Sequence, residues 1–300
     1  MNENELHLLF SRAERPYPSV LSVYLNVDQS QQANLNRGFV KQLKDIMASI
    51  RNSIHDASDL EKFTRAAHHV TDFISAYQPG ARGLVLYFDE SDGFFWHMEI
   101  DVPLHSQARW DRQLLLQPLA NALDQFERYG VVLVDRNNVR LLTVFLGKIQ
   151  EIVREGFGPN RVRHIKTVGT DHIASASGVQ RKADEQIRAN LRSVTKEMDS
   201  LVQTKQVHRL VLAGTPEITA ELRDLLPKRL SLCVIGAVDV TMDAPASDVL
   251  AATRTIAAEY ERSTEIQTVK EVVTAAAKKQ KAVVGLGHTL RAVNSDRIWQ

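Results

Sequence analysis

A cluster of basic side chains is the clearest chemical signal in the sequence. Its members are Arg161, Arg163, His164 and Lys166. Cationic side chains on an exposed segment contact nucleic-acid phosphates, and binding of this kind weakens as salt is added. No tryptophan, tyrosine or phenylalanine occurs between residues 158 and 203, so the pattern predicts phosphate contact without base stacking.

The segment after this cluster extends the positive charge along a predicted helix. Arg181, Arg188, Arg192 and Lys196 fall on the helix face opposite to an apolar stripe, at 100° per residue. Glu185 and Asp199 lie on the same face and dilute the charge. Two interpretations remain open from these residues, an RNA-binding surface and a solvated face of mixed charge.

Three aspartates at the ends of predicted strands suggest a different chemistry. Asp135, Asp239 and Asp243 hold such positions, and paired carboxylates that bind two metal ions can cleave phosphodiesters. A turn and a helix N-terminus also explain such aspartates, so a metal-dependent nuclease is the less favoured alternative.

His68 and His69 are adjacent on a predicted helix and point about 100° apart, unlike metal ligands spaced i, i+4. We predict no metal site and no cofactor.

Composition narrows the class of protein. The chain of 300 residues has 37 basic and 36 acidic side chains, a net charge of +1, which excludes binding to nucleic acid by bulk charge alone. Cys233 is the single cysteine, so an internal disulfide and a multi-thiolate zinc site are excluded. No apolar run approaches the ~20 residues that cross a bilayer, and the N-terminus is polar. We expect a soluble cytoplasmic protein with no membrane partner.

Residues 1–127 are predicted to form an N-terminal mixed α/β domain. β-Branched and aromatic residues at 20–27 indicate a strand, and apolar residues at helical spacing indicate helices at about 34–54 and 58–77. The segment 83–100 has the pattern of a β-hairpin with a central turn.

Residues 128–281 are predicted to form a second α/β domain, with a long loop at 156–177 that shows no periodicity. Before the loop, strands are predicted at 131–134 and 139–146, and 149–153 is a further candidate. After the loop, helices and strands alternate: a helix at 183–201, a strand at 207–212, a helix from 216, a strand at 230–240 and a helix at 245–281. Strands that alternate with helices imply a mostly parallel sheet, and the opening hairpin makes that sheet mixed.

This order of elements resembles the middle domain of the eukaryotic and archaeal release factor and Pelota family. The resemblance is carried by residues 129–135 with the returning strand 141–147, by the helix 183–201 and by the strand and turn at 208–215. Residues 283–293 resemble the start of that family's third domain. The first strand resembles the bacterial branch of the superfamily. The resemblance implies a ribonuclease H-like middle domain that acts in translation.

The resemblance also implies a candidate catalytic element. Release factors of this family carry Gly-Gly-Gln at the tip of the long loop, where the glutamine places a backbone N–H near the developing oxyanion. This sequence has Gly178-Val179-Gln180 instead, and β-branched Val179 disfavours positive φ. If the protein is active, the resemblance implies hydrolysis of the peptidyl-tRNA ester, with Gly178 giving backbone freedom and Gln180 placing water. The alternative is the start of a helix, with Ser177 or Gly178 at the cap.

Two further family features are missing. The stop-codon motif Asn-Ile-Lys-Ser is absent from residues 1–127, and residues 282–300 match only the beginning of a third domain, which in the family binds a partner GTPase. Codon decoding and a GTPase partner are therefore not expected. We expect a bacterial release-factor-like protein that contacts the ribosome or tRNA in ribosome rescue or termination. The alternative is a non-enzymatic binding module on the same fold.

Overall fold

The computed structural model describes residues 9, 11–12, 19–157 and 172–295, without the side chains of 172–180, 182 and 183. The chain divides into two compact units. Unit 1 comprises Met1–Glu127 together with Phe145–Lys148, and unit 2 comprises Arg128–Val144 together with Ile149–Gln300. Among the described residues, no helix combines the length and the apolar character needed to cross a membrane.

Unit 1 is built on a four-stranded sheet in the order β3-β2-β1-β4, in which every pairing is antiparallel. The strands are β1 (Val20–Asn26), β2 (Gly83–Asp89), β3 (Phe94–Ile100) and β4 (Gln107–Asp111). All residues of β2 are buried. A strand whose two faces are both covered reads as a continuous apolar run, which is why residues 83–88 do not alternate.

Helices cover both faces of this sheet. They are α1 (Gly38–Ser53), α2 (Ala57–Ala76) and α3 (Gln117–Gln125), and a 3₁₀ turn (Gln32–Arg37) precedes α1. Leu21 and Val23 of β1 pack in one apolar cluster with α1 and α2, whereas Val20 and Tyr24 pack in another cluster with α3. The period of two along β1 therefore supplies both cores.

Unit 2 contains a five-stranded mixed sheet in the order β7-β6-β5-β8-β9. Its strands are β5 (Tyr129–Val134), β6 (Asn138–Phe145), β7 (Lys148–Gly156), β8 (Arg209–Ala213) and β9 (Val234–Val238). β5 runs antiparallel to β6 and parallel to β8, which is itself parallel to β9. The prediction of a mixed sheet that opens with an antiparallel hairpin is confirmed, but only the pairs β5·β8 and β8·β9 are shown to be parallel, so the sheet is less parallel than predicted.

The helices of unit 2 are α4 (His172–Lys205), α5 (Pro216–Leu225), α6 (Lys228–Ser231), α7 (Ala246–Ala277) and α8 (Leu286–Val293). Leu191, Val194 and Met198 of α4 are buried with residues of α5 and α6 in one cluster. The first half of α7 packs through Val249 in a separate cluster. The two clusters contain alternate residues of β5 and β8, so they lie on opposite faces of the sheet.

The structure corrects the predicted loop at 156–177. β7 extends to Gly156, and α4 begins at His172, so residues 172–177 are helical. The helix start predicted at Ser177 or Gly178 is also wrong, because both residues lie inside α4. Residues 172–177 contain two alanines and neither proline nor glycine, so nothing in their chemistry stops a helix from extending through them.

Two smaller predictions also change. Val283 and Val284 do not form a strand, and the last described helix begins at Leu286. Sequence reasoning missed β4, which among the described strands lies at the edge of the unit 1 sheet and pairs with β1.

Candidate nucleic-acid interface

A tight turn at the end of β5 anchors the chain where it enters the segment 158–171. The Asp135 carboxylate accepts hydrogen bonds from the backbone N–H groups of Asn137 and Asn138, both at 2.6 Å. The N–H of Phe157 donates to the Asn137 carbonyl at 2.7 Å. The turn therefore has a fixed conformation, and the chain leaves β7 hydrogen-bonded to it.

Helix α4, which the chain forms after that segment, is tied to the same turn. The Asn190 side chain, which is buried, donates from Nδ2 to the Arg136 carbonyl at 3.0 Å. Gln186 Nε2 donates to Asn190 Oδ1 at 2.9 Å and so fixes the orientation of that amide. The residue that precedes the segment and the middle of the helix that follows it are thus hydrogen-bonded to one turn. Its basic residues Arg161, Arg163, His164 and Lys166 lie outside the described residues.

The predicted cationic face of α4 is exposed. Arg181, Arg188 and Arg192 fall within about 40° on the helical wheel, and all three side chains are solvent-exposed. Arg188 Nε lies 3.2 Å from Glu221 Oε1 on α5, and no ion pair of Arg192 occurs within the described part of the chain. We name this strip of three arginines the α4 arginine strip.

The two acidic residues predicted to dilute this face behave differently. Asp199 forms an ion pair with Arg229, the residue after the first of α6. Glu185 is exposed and lies next to the α4 arginine strip on the helical wheel. Since Asp199 already has a cationic partner on α6, it neutralises the strip less than its position on the wheel suggests.

Two exposed arginines near the turn were not found by sequence reasoning. Arg136 lies in the turn itself, and Arg154 lies on β7 three positions before Phe157. The pKa of Glu217 at the start of α5 is lowered, chiefly by its own backbone N–H and the Thr215 hydroxyl, with a smaller contribution from Arg136. The turn itself can be recognised in the sequence. Its contact with α4 cannot, because the hydrogen bond from Asn190 to Arg136 joins residues that are 54 positions apart.

The candidate catalytic residues Gly178 and Gln180 have helical backbone within α4. In an α-helix the N–H of residue 180 donates to the carbonyl of residue 176. That N–H is therefore engaged and is not directed at a reacting ester. The side chain of Gln180 lies outside what the structure describes, so a catalytic role for Gly178 and Gln180 stays a prediction.

The three aspartates of the nuclease alternative are not brought together. Asp135 is used within its turn, whereas Asp239 lines a cavity of about 300 Å³ at the carboxyl ends of β8 and β9, with Asp224 and Arg223. Asp243 does not line this cavity. The described residues contain no group of three or more His, Cys, Asp or Glu side chains able to hold a metal ion.

A buried arginine explains the position of Asp243. Arg140 on β6 is 4% exposed. Its Nη1 donates to the carbonyls of Met242 at 2.8 Å and Ala244 at 2.7 Å, and its Nε donates to Glu151 at 2.8 Å. The loop between β9 and α7 is therefore held by its backbone against β6, and Asp243 is an exposed residue of that loop.

Comparison with known proteins supports a relationship with translation factors. Residues 115–258, a little under half of the chain, match the model of bacterial archaeo-eukaryotic release factor family 10. No curated protein matches the chain.

Solved structures show more distant similarity. The archaeal translation termination factor aRF1 is 16% identical, over 93% of this chain and 78% of that chain, with a TM-score of 0.33. Pelota from Archaeoglobus fulgidus is 13% identical over 73% and 62%, with a TM-score of 0.35. Dom34 from S. cerevisiae, described as a translation termination-like factor, is 12% identical over 71% and 62%, with a TM-score of 0.39. Similarity at this level assigns no role to any residue of this chain.

Proposed function

We propose that the chain is a relative of the archaeo-eukaryotic release factors that acts in translation by contacting ribosomal RNA or tRNA, since residues 115–258 match the model of bacterial archaeo-eukaryotic release factor family 10. The proposed contact surface is the α4 arginine strip together with the segment 158–171. The observation that carries the proposal is the exposure of three arginines on a helix that is hydrogen-bonded to the same turn as Phe157. The proposed partner is a ribosome or tRNA in the cytoplasm.

Electrostatics favour RNA phosphates as the ligand. The net charge of the chain is only +1, so a local concentration of arginine decides where a polyanion binds. Guanidinium groups bind phosphate oxygens in a bidentate manner, and a phosphate can replace Glu221 as the partner of Arg188. We propose that Arg161, Arg163, His164 and Lys166 extend the same surface.

The helical backbone of residues 178–180 favours binding without ester hydrolysis. A catalytic role for the N–H of Gln180 requires local opening of α4, since that N–H is engaged inside the helix. We therefore propose a binding module of the release-factor type. Peptidyl-tRNA hydrolysis by Gly178 and Gln180 remains the alternative function, which one experiment separates from binding.

The salt dependence of RNA binding tests the contact surface. We expect the double variant Arg181→Gln/Arg192→Gln to bind more weakly and to lower the slope of log affinity against log salt by about 0.7 for each lost phosphate contact with single-stranded RNA. Arg254→Gln is the matched control, because Arg254 is an exposed arginine on α7, on the other face of the sheet. Equal slopes for the double variant and the wild type would exclude the α4 arginine strip as the contact.

The segment 158–171 is tested separately with the triple variant Arg161→Ala/Arg163→Ala/Lys166→Ala. Loss of affinity with a reduced salt slope supports its role in phosphate contact. Unchanged binding would restrict the interface to α4.

Peptidyl-tRNA hydrolysis on stalled ribosomes distinguishes the alternative function. We expect the wild type and Gln180→Ala to release peptide at the same background rate while both bind ribosomes. Peptide release by the wild type that Gln180→Ala abolishes would show that the protein is a hydrolase.

A further inference from the structure

The second half of helix α7 exposes a row of apolar side chains. Its first half is docked on the unit 2 sheet through buried Val249 and Thr253. Further along the helix, Ile266 is 46% exposed, Val269 is 61% exposed and Val273 is 51% exposed. Single exposed valines are ordinary on protein surfaces, but a continuous apolar row on one helix face marks an interaction surface.

The spacing of this row suits a second helix. Ile266, Val269, Val273 and Ala276 are separated by three, four and three positions, which is the spacing of the contact residues in paired helices. Val272 widens the stripe on one side. We name these five residues the α7 apolar stripe. All five fall within about 120° of the helical wheel, so one partner helix can cover them.

The charges along the same segment identify the partner. Exposed Glu259, Arg262 and Glu265 lie before the α7 apolar stripe, so this end carries a small excess of negative charge, and exposed lysines 278, 279 and 281 follow the stripe. Glu261 forms an ion pair with Arg209 and is therefore already engaged. A segment that is acidic at one end and basic at the other complements a second copy of itself in the antiparallel direction, whereas a parallel arrangement brings like charges together.

We propose that the second half of α7 is a homodimer interface, in which the segment 259–281 of one copy packs antiparallel on the same segment of another. Centring the pair near residue 271 places Ile266 opposite Ala276 and Val269 opposite Val273. The mainly acidic end of each copy then lies beside the lysine-rich end of its partner. The opposed helix dipoles add to the preference for this direction.

Sedimentation equilibrium of the ribonuclease-treated protein tests the apolar contact. The wild type is expected to form a dimer whose fraction rises with concentration in the micromolar range. Val269→Glu is expected to raise the dimer dissociation constant by about tenfold or more, because it places charges against the partner's stripe. Thr274→Glu is the matched control, because Thr274 is exposed on the far side of α7, and it is expected to leave the dimer dissociation constant unchanged. A wild type that stays monomeric, or a Val269→Glu variant that dimerises like the control, overturns the proposal.

Charge reversal tests the antiparallel direction. The variant Glu259→Lys/Glu265→Lys is expected to weaken the dimer by about tenfold at low salt. Adding Lys278→Glu/Lys279→Glu/Lys281→Glu in the same chain restores dimerisation, since both ends of the segment are then reversed. Glu271→Lys changes the charge by the same amount per residue on the face away from the stripe and serves as the control. Failure of the combined reversal to restore the dimer, with far-UV circular dichroism unchanged, overturns the antiparallel arrangement.

Discussion

At the scale of single residues, Asp28 shows how the fold holds a carboxylate ionised. Its side chain is 5% exposed and accepts hydrogen bonds from the Ser30 hydroxyl at 2.7 Å and from Arg82 Nε at 2.7 Å. These two partners, the hydroxyl first, lower the pKa of Asp28 to about 2. The ionised form is therefore the one that the folded unit 1 prefers.

We expect Asp28→Asn to lower the free energy of unfolding of unit 1 by about 1 kcal/mol at pH 7, because Arg82 is partly solvated and the pair is screened. Because the pKa of Asp28 is lower in the folded state, its carboxylate stabilises unit 1 at pH values above the ordinary aspartate pKa of about 4. Most of this stabilisation is lost as the pH falls from about 4 to about 2. The difference between the two proteins should therefore fall to a small fraction of its pH 7 value at pH 2. The difference in the free energy of unfolding is measured by urea unfolding, followed by the fluorescence of Trp96 and Trp110 in a Trp299→Phe background. A difference that is independent of pH would contradict an ionic role for Asp28.

At the scale of secondary-structure elements, the junction between β8 and α5 depends on one glycine. Gly214 has a φ of 138°, and a Cβ atom at this position would lie 2.3 Å from the Val134 carbonyl oxygen. Its N–H donates to the Val238 carbonyl at 3.1 Å. The backbone of β8 therefore passes its neighbours too closely for any side chain at this position.

We expect Gly214→Ala to destabilise unit 2 by about 3 kcal/mol or more, because the clash is with backbone atoms of neighbouring β5. Gly93→Ala is the control, since Gly93 also has a positive φ of 69°, but a Cβ atom there would have no other atom within 4 Å. It should cost unit 1 only about 1 kcal/mol. Hydrogen exchange measures the stability of the two units separately, because peptides from β5 and β8 report on unit 2 and peptides from β1 and β2 report on unit 1. Equal costs would show that the junction relaxes around the added methyl group.

The sequence predicted best those elements whose apolar residues recur at a regular spacing. The apolar stripe of α4, including Leu191 and Met198, is buried as its spacing indicated, and the α4 arginine strip follows from the same period. The five residues of β4 lie at a sheet edge and show no clear alternation, so pattern alone does not separate them from a loop. Burial of Arg140 depends on the carbonyls of Met242 and Ala244, more than 100 positions away. Such long-range pairing leaves no local signal.

At the scale of the whole molecule, each unit has its own buried clusters. Both apolar clusters of the unit 2 sheet consist of residues between positions 128 and 258. Unit 1, by contrast, includes Leu146, which is 4% exposed and belongs to the same cluster as Val85, Tyr87 and Leu119. The core of unit 1 is therefore completed by a residue that follows the first strands of unit 2 in the sequence.

This arrangement predicts an asymmetry between two fragments of the chain. The fragment 128–300 should fold cooperatively, because the residues of both its clusters are present. The fragment 1–127 lacks Leu146 and should be less stable than unit 1 in the full chain, by about 3 kcal/mol, as for a buried leucine removed from a core. Leu146→Ala in the full chain is the matched test, and it should lower the stability of unit 1 by a similar amount. Calorimetry and tryptophan fluorescence measure both effects. A fragment 1–127 as stable as unit 1 in the full chain would show that Leu146 adds nothing to that core.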